Sequence, residues 1–539
     1  MGLLGVSIIT CAILYGLLAV ILAAVCIVAE APLWISFAVV IAVIVIQFLI
    51  APFITDLMQK WFYKTNFEVK MPEYLDRFIA ETCEANGITY PKMGYIDDGA
   101  PNAFTYGRTK KDARIVLTRG IFDLLTEDEV KAVVAHEIGH IAHYDMALMT
   151  MVQVVPMFFY LVYSVCMESA KGSSSDSKGD YTAIIGIVAF ILYIICQYVI
   201  LWLSRVREYY ADEFSAQSTN NPGALASALV NIGFGLSTRA KSEDALGSVA
   251  GESTLGIFDA KNSKSMVVSC YDANGNINKD KIKGAMKWEL WNTWAFWYEL
   301  GSTHPLTSKR IERLGSLSEQ MGQKPFVKFD LQKPESYVDD FMLEFGISIL
   351  PGVGAIAAGV LSVLFIPGIL DTGNGLLMLG GIVVAVGMLL SCFKYRWTHP
   401  SSDYHEANTA GLLQEVKVSM IRSIPAELKG IIIGRGNPGC IFDENFVIRD
   451  ETGILFLDYN QPLWIINKVF ALFKSPEYFN KTVKVKGWYR RNMVPFFELY
   501  SMEIDGQVKK CYSYGFGWIW RLVILAIGVA AIAAAFFLV

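Results

Sequence analysis

The chain has 539 residues, of which 53% are hydrophobic and only 18% are charged, and its mean hydropathy is +0.39. Soluble domains carry about a quarter charged residues, so this composition indicates a protein that keeps much of its surface in lipid. The small net charge of −5, without a basic domain or arm, argues against nucleic acid as a partner, and none of the nine cysteines forms a C-x-x-C pair typical of a cysteine metal site.

Two long apolar runs lie near the start of the chain, at about Gly5–Ala29 and Leu33–Thr55. The first has no basic segment before it and is too long for the core of a signal peptide. With the short turn at Glu30 and Pro32, the two runs predict a hairpin of transmembrane helices. Five further runs are long enough to span a bilayer: about Met146–Met167, Tyr181–Ser204, Phe345–Leu370, Asn374–Cys392 and Leu522–Val539.

Lysine and arginine predict the orientation of these seven spans. Basic residues follow the second, fourth and sixth spans, whereas the opposite loops contain few of them. By the positive-inside rule, the long polar segments and the N-terminus lie in the cytoplasm and the C-terminus lies outside. We therefore expect an integral multi-pass protein, most simply of the cell membrane. The basic residues that follow the three spans are Lys60, Lys64, Arg205, Arg207, Lys394 and Arg396.

The alternation of apolar and polar segments predicts seven parts. Transmembrane hairpins are expected at 1–55, 146–204 and 343–392, and a last transmembrane helix at 517–539. The polar segments 56–145 and 205–342 bracket the second hairpin, so we expect them to form one folded domain. The third polar segment, 393–516, is expected to fold separately.

The segment 393–516 contains short strands broken by turns. A helix is predicted at about Trp464–Phe473, between the third and the fourth strand. Five strands with a helix in that place are typical of a small OB-like barrel. The predicted strands are Leu428–Gly434, Asn445–Arg449, Ile454–Tyr459, Thr482–Arg490 and Phe496–Ile504.

A metal-binding motif lies on a helix that starts with a capping box at Thr126 and Glu129. This helix carries His136, Glu137 and His140 in the pattern H-E-x-x-H. Residues four apart project from one face of a helix, so both imidazoles can bind a single zinc ion. Glu137 is placed to take a proton from a water that zinc activates.

Glu208 is the predicted third ligand. The residues between His140 and Glu208 include a transmembrane hairpin, whose two ends lie at the same membrane surface, so the carboxylate returns beside the histidines. Asp212, four residues later, is placed to orient a ligand histidine through its other ring nitrogen. A structural zinc site is the alternative, but such sites are closed and usually contain cysteines.

These motifs resemble those of the HtpX-like membrane zinc endopeptidases, relatives of the CAAX prenyl proteases. The resemblance covers roughly residues 1–315. It implies a zincin-like α+β protease domain with one zinc ion per chain, and it supports Glu208 as the third ligand. The segments that carry it are Pro101-Asn-Ala-Phe104, His136-Glu-Ile-Gly-His140, Arg207-Glu-Tyr-Tyr-Ala-Asp212, and Ser302-Thr-His-Pro305 with Arg310.

The resemblance also implies roles for residues outside the ligand set. Asn102, Ala103 and Phe104 would belong to an edge strand that binds an extended substrate by strand addition. His304 and Arg310 would lie near the metal. There they would stabilise the oxyanion of the tetrahedral intermediate or order Asp212.

A row of tryptophans precedes His304, at positions 288, 291, 294 and 297 on a predicted helix. The row favours a belt at the membrane interface or the lining of a substrate groove. Packing in a protein core is the alternative interpretation.

Three further histidines have weaker signals. His143 shares a helix face with His140, and we expect it to cap the end of the helix rather than to compete for the metal. His399 and His405 flank a polar turn, and we expect both to be solvated.

The sequence thus predicts a multi-pass α-helical membrane protein with a cytoplasmic zinc endopeptidase domain and a small β-rich C-terminal domain. The family resemblance implies damaged or misassembled membrane proteins as substrates. Two alternatives remain open. One is a CAAX-type protease that processes prenylated proteins, and the other is a non-proteolytic membrane scaffold in which the C-terminal barrel is a binding module.

Overall fold

The computed structural model describes residues 2–28, 33–61, 63–99, 101–172, 177–238, 279–329, 335–400, 404–435, 444–492 and 495–537. These residues form two compact units. The first comprises the described residues of Met1–Ser263 and Trp297–Phe329, and the second comprises those of Lys264–Phe296 and Asp330–Val539. The finer division into seven parts stays a prediction.

Helices and strands are numbered in chain order over the described residues. Up to residue 320 they are α1 (Leu3–Val28), α2 (Leu33–Trp61), α3 (Glu73–Ala85), β1 (Lys92–Ile96), β2 (Ala103–Gly107), β3 (Ala113–Thr118), α4 (Arg119–Leu124), α5 (Glu127–Ala142), α6 (Asp145–Gly172), α7 (Ser177–Thr219), α8 (Pro222–Thr238), α9 (Lys279–Trp291), α10 (Thr293–Glu299) and α11 (Thr307–Gln320).

The elements beyond residue 320 belong to the second unit. They are α12 (Val338–Phe365), α13 (Gly373–Thr398), β4 (His405–Glu406), α14 (Thr409–Gln414), β5 (Ile424–Arg435), β6 (Phe446–Arg449), β7 (Ile454–Asp458), α15 (Trp464–Phe473), a short 3-10 helix (Ser475–Tyr478), β8 (Thr482–Arg491), β9 (Pro495–Ile504), β10 (Gln507–Lys510) and α16 (Ser513–Phe537).

The chain is a multi-pass membrane protein. Among the described residues, six helices are long and apolar enough to cross a bilayer, namely α1, α6, α7, α12, α13 and α16. They overlap six of the seven predicted spans, and the second predicted span forms α2. The last helix begins at Ser513, earlier than the predicted start at Leu522.

The membrane helices of the first unit share an apolar core. Leu14 of α1, Phe159 of α6, and Cys196 and Leu203 of α7 are each fully buried in one cluster. α6 and α7 form the predicted hairpin and pack along each other. This packing places the end of α5 and the far end of α7 on the same side of the hairpin, since α5 leads directly into α6.

A three-stranded sheet accompanies the helices of the first unit. Its strand order is β1-β3-β2, with β1 parallel and β2 antiparallel to the central strand β3. Every residue of β3 is buried, as expected for a strand flanked on both sides and covered by helices. β2 is an edge strand, and α5 packs against it.

A closed ring of five strands forms the β-rich part of the second unit. β5 pairs with β6, β6 with β7, β7 with β9, β9 with β8, and β8 with β5 again. α15 lies in the chain between β7 and β8, with the predicted bounds Trp464–Phe473. β5 starts at Ile424, four residues before the predicted start at Leu428.

The interfacial role predicted for the tryptophan row is wrong for Trp288 and Trp294. Trp288 is 1% exposed and its Nε1 donates to the Val418 carbonyl oxygen at 2.7 Å. Trp294 is 7% exposed and its Nε1 donates to Glu344 Oε2 at 2.7 Å. Both side chains therefore lie in the core of the second unit. Their burial is possible because each indole N–H has a hydrogen-bond acceptor inside the protein.

The solvated position predicted for His399 is also wrong. His399 is 6% exposed, its Nε2 lies 3.2 Å from Glu498 Oε1, and its ring centroid lies 4.3 Å from that of Tyr395. The polar turn around it suggested solvent, but β9 supplies a carboxylate that pairs with the ring. His405, on the two-residue strand β4, is exposed as predicted.

Candidate metal centre

The helix that carries the two histidines starts at the predicted capping box. The Thr126 N–H donates to Glu129 Oε2 at 2.8 Å, and the Glu129 N–H donates to Thr126 Oγ1 at 3.4 Å. These bonds satisfy amides that the first turn of a helix leaves without partners. α5 then continues to Ala142, so His136 and His140 project from one face.

The structure brings the three predicted ligands together. One ligand atom each of His136, His140 and Glu208 lie within 4.8 Å of one another. The Nε2 atoms of His136 and His140 are each 3.5 Å from an oxygen of Glu208. Ligand atoms about 2.0 Å from a tetrahedral ion are separated by about 3.3 Å. Nε2 of the buried His136 also has no hydrogen-bond partner in the described part of the chain, so the cluster fits a metal ion.

Glu208 reaches the histidines because α7 extends past the end of the hairpin and packs against α5. Gly139, between the two histidines, faces α7 at their closest approach. A Cβ at Gly139 would lie 3.1 Å from Ala211 Cα and 3.1 Å from Phe214 Cβ, which is tighter than ordinary contact. The glycine therefore permits the spacing at which Glu208 meets both rings.

The surroundings of the two imidazoles shift their pKa values in opposite directions. Burial lowers the pKa of a histidine, but the carboxylates of Asp212 and Glu208 outweigh burial and raise the pKa of His136 to about 9. Burial and the neighbouring His136 lower the pKa of His140 to about 4. Metal ions bind the neutral form of imidazole, so a metal ion would compete with the proton that the carboxylates favour on His136.

Asp212 and Arg310 hold His136 through the ring nitrogen that faces away from Glu208. Asp212 Oδ1 lies 3.0 Å from His136 Nδ1. Arg310 donates from Nε to Asp212 Oδ2 at 2.9 Å and from Nη2 to Oδ1 at 2.6 Å, and its Nη1 lies 3.3 Å from Glu208 Oε2. A carboxylate on the second nitrogen fixes the orientation of a ligand histidine. Arg310 offsets the negative charge of both carboxylates in the interior.

A second carboxylate orients His140, and the sequence analysis missed it. Asp145 Oδ2 lies 2.6 Å from His140 Nδ1, while Asp145 Oδ1 pairs with Arg207 Nη2 at 2.5 Å. The chain turns back between the helices because α5 ends at Ala142 and Tyr144 adopts a positive φ of 59°. In the sequence, the indication of this contact was an acidic residue five positions after His140. It was missed because one continuous helix was predicted there, and a continuous helix would turn Asp145 away from His140.

His143 is the C-cap residue of α5, which confirms the prediction that it ends the helix. Its backbone N–H donates to the Gly139 carbonyl oxygen at 3.0 Å. Its ring centroid lies 6.2 Å from that of Tyr210 and 6.1 Å from that of Phe214. The ring thus packs against α7 and does not belong to the ligand cluster.

Thr105 is the second residue that the sequence analysis missed. Its Oγ1 donates to Glu137 Oε2 at 2.7 Å. Glu137 is 2% exposed, so this bond is made in the interior. Side chains alternate along a strand, and Thr105 faces α5 because its neighbour Phe104 faces the hydrophobic core. In the sequence, the indication of this role was that a residue with a hydroxyl group directly follows Asn102-Ala-Phe104.

The segment Asn102–Phe104 forms the start of the edge strand. The Asn102 N–H donates to Thr118 Oγ1 at 2.7 Å, and the Thr118 N–H donates to the Asn102 carbonyl oxygen at 3.0 Å. Ala103 is 0% and Phe104 is 1% exposed. The side chains of Ala103 and Phe104 therefore belong to the core, and any contact of this segment with a substrate would come mainly from its backbone.

His304 lies in the turn before α11, with Nε2 3.6 Å from Glu208 Oε1 and Nδ1 2.9 Å from Thr303 Oγ1. Arg205 of α7 fixes this turn. Its Nη1 donates to the carbonyl oxygens of Glu299 at 2.7 Å and of Ser302 at 2.8 Å. The structure thus places both His304 and Arg310 next to the cluster.

Residues 70–318 match the family model described as Peptidase family M48, and this span contains the whole cluster. A protein named Protease HtpX homolog from Methanothermobacter thermautotrophicus is 40% identical over 195 residues, which are 36% of this chain and 71% of that protein. A protein of the same name from Aeropyrum pernix is 27% identical over 286 residues, which are 52% of this chain and 85% of the relative. A third, from Pyrococcus furiosus, is 29% identical over 257 residues, which are 47% and 76% of the two chains.

A solved structure is also similar to the chain. The crystal structure of Ste24p from S. mikatae is 16% identical, and the match covers 57% of this chain and 64% of that one with a TM-score of 0.34.

Proposed function

The chain belongs to the HtpX-like proteases of peptidase family M48, and from this premise we propose that it is a zinc-dependent endopeptidase that cleaves membrane proteins at the cytoplasmic face. The observation that carries the proposal is the convergence of His136, His140 and Glu208 beside the buried Glu137. Damaged or misassembled membrane proteins are the substrate class that we infer.

Zinc is the metal that this donor set fits best. Two imidazoles and one carboxylate are typical of catalytic zinc sites, in which a fourth position stays open. When bound, zinc lowers the pKa of a water molecule and polarises the scissile carbonyl group. His136, His140 and Glu208 would hold the ion, and Asp212 and Asp145 would orient the two rings.

Glu137 would move the proton during hydrolysis. Its carboxylate takes a proton from the attacking water and passes it to the amine that leaves. Thr105 keeps Oε2 of Glu137 in place through its hydrogen bond. His304 would stabilise negative charge on the substrate oxygen, because its Nε2 lies 3.6 Å from Glu208 Oε1 and therefore beside the place where the metal would bind.

The substrate would bind as an extended strand along β2. β2 lies at the edge of its sheet and pairs only with β3 among the described strands. The backbone of an edge strand can pair with an added peptide, which gives affinity without a fixed side-chain pattern. Such a mode suits an enzyme that acts on unfolded segments of many proteins.

The cytoplasmic orientation is supported by Lys60 and Lys64, which are exposed after the second span. Arg205 and Arg207, which also contributed to the prediction, are buried and have structural partners in the first unit. They therefore support the orientation less than exposed residues do.

We also propose that the C-terminal barrel has an OB-like fold. The support is the closed ring in the order β5-β6-β7-β9-β8, with a helix between its third and fourth strands. The prediction from the sequence rests on the number of strands and on this position of the helix, and the pairing order adds to its support.

The test of the proposed function combines a metal assay with proteolysis. The purified full-length chain should contain about one zinc ion, and His136→Ala should remove it. Glu137→Gln should retain zinc and lose activity on an unfolded membrane protein by at least about a hundredfold. Full activity in Glu137→Gln would end the proposed mechanism.

The same preparation separates the alternatives. A farnesylated peptide assayed beside the unfolded membrane protein tests for a CAAX-type protease. A protein that retains its cellular role after loss of the metal would instead be a scaffold.

A further inference from the structure

The helix α15 presents an apolar face that the described chain does not cover. Six side chains of α15 and the residue before it are between 47% and 73% exposed. Four of them are consecutive, and the other two follow at helical spacing, so they form one continuous strip. Soluble surfaces rarely expose a strip of this kind without a partner. The strip consists of Leu463, Trp464, Ile465, Ile466, Val469 and Phe473.

The opposite face of α15 is fixed to the barrel. Asn467 and Ala471 are buried, and the Phe470 ring stacks on Tyr459 with 4.3 Å between centroids. Asn467 Oδ1 accepts a hydrogen bond from the Gln461 N–H at 2.8 Å. The helix is therefore held in one orientation, with the apolar strip pointing away from the barrel.

The start of α15 is tied by hydrogen bonds to the start of α16. Gln461 Nε2 donates to the Lys510 carbonyl oxygen at 3.0 Å, and Gln461 Oε1 accepts from the Tyr512 N–H at 3.1 Å. Ser513 Oγ donates to the Asn460 carbonyl oxygen at 2.6 Å. Ser513 is the first residue of α16, which is long and apolar enough to span a bilayer. The strip thus begins beside the first turn of a membrane-spanning helix.

We propose that α15 lies in the interface of the phospholipid bilayer, in the leaflet that α16 enters, and docks the barrel on the membrane. An apolar helix face is stable there because its side chains are buried at the boundary of headgroups and acyl chains. The amphipathic ring of Trp464 suits the headgroup level. Lys474, exposed at the end of the helix, adds attraction for anionic lipids.

A second copy of this chain is the other occupant that would cover such a strip. The hydrogen bonds between Asn460, Gln461 and the start of α16 favour the bilayer. They place the strip next to the first turn of a helix that is long and apolar enough to span the bilayer, so the strip can meet lipid without any association of chains. This inference is independent of the proposed proteolysis.

Photo-crosslinking of the full-length chain tests the proposal. A benzophenone amino acid replaces Ile465 or Val469, both exposed, so neither change disturbs packing. The protein is reconstituted into vesicles of phosphatidylcholine and phosphatidylglycerol and irradiated, and adducts are identified by mass spectrometry. Val529, which is 54% exposed on α16, is the control in lipid, and the exposed Lys429 of β5 is the control in water.

We expect lipid adducts at positions 465 and 469 with yields of the same order as at 529, and at least tenfold above the yield at 429. Yields at 465 and 469 no higher than at 429 would overturn the proposal. Cross-links from these positions to a second copy of the chain, in place of lipid, would overturn it as well.

Discussion

Thr105 Oγ1 on β2 donates a 2.7 Å hydrogen bond to Oε2 of Glu137 on α5. This bond joins the edge strand of the sheet to the residue proposed to transfer the proton. A substrate added alongside β2 would contact the backbone of the same residue whose side chain holds the carboxylate. The position of the substrate and the orientation of Glu137 therefore depend on one residue.

Thr105→Val should lower kcat by about tenfold to a hundredfold and change KM little. A hydrogen bond to a charged group contributes about 1.5–3 kcal/mol, and about 1.4 kcal/mol corresponds to a factor of ten. Valine keeps the shape of threonine and removes only the donor. The measurement is steady-state cleavage of an unfolded membrane protein, with zinc content determined in parallel. Thr105→Ser, which retains the hydroxyl, is the matched control, and an equal loss in both variants would contradict the assigned role.

Asp145→Asn should weaken zinc binding by about tenfold to a hundredfold, which is the usual effect of removing a group that orients a ligand histidine. The reason is the 2.6 Å contact between Asp145 Oδ2 and His140 Nδ1. The affinity is measured by competition with a chelator of known strength. Asp128→Asn, on the exposed first turn of the same helix, is the control. Equal affinities in the two variants would show that Asp145 does not act on the metal through His140.

The grouping of the three proposed ligands was predictable from the sequence because local geometry determines it. His136 and His140 share a helix face through the period of the α-helix, and the transmembrane hairpin returns the chain to Glu208. Asp145 and Thr105 were not predictable in the same way. The position of Asp145 depends on a turn in which Tyr144 takes a positive φ. The contact of Thr105 depends on how the sheet packs against α5.

Burial was the least predictable property. Trp288 and His399 stand in segments whose local pattern suggests an interface or a solvated turn. Their surroundings come from residues far along the chain, since Val418 accepts from Trp288 and Glu498 pairs with His399. In contrast, the five strands and the helix of the barrel were predicted to within a few residues, because alternating apolar residues and turn residues mark them locally.

His304→Ala should lower kcat by about a hundredfold to a thousandfold, the range found when a donor to an oxyanion is removed. Zinc affinity should stay within a few-fold of the unmodified protein, because His304 Nε2 lies 3.6 Å from Glu208 Oε1 but is not one of the three proposed ligands. Single-turnover kinetics with a chelator titration on the same sample separates the two effects. A variant that loses zinc and activity in proportion would instead make His304 part of the metal site.

Arg310→Met should destabilise the first unit more than any other single change at the site. Arg310 is 2% exposed and forms two hydrogen bonds with Asp212, which is 1% exposed, so methionine leaves the buried carboxylates of Asp212 and Glu208 without the guanidinium group. Removal of one partner of a buried ion pair costs about 3–5 kcal/mol, which lowers the melting temperature of a domain of this size by roughly 10 °C. The measurement is thermal unfolding of the full-length chain in detergent micelles.

Two further variants show whether that loss comes from the unpaired charge. Arg310→Lys keeps the charge but not the paired geometry of the guanidinium group, so it should recover only part of the stability. The double variant Arg310→Met with Asp212→Asn removes the charge of Asp212 as well and should be more stable than Arg310→Met alone, because only Glu208 is then left without the guanidinium group. The double variant should still bind zinc more weakly than the unmodified protein. The Asp212 carboxylate lies 3.0 Å from His136 Nδ1, and the amide that replaces it orients the His136 ring less well. If the double variant melts below Arg310→Met, the pair contributes through packing rather than through charge.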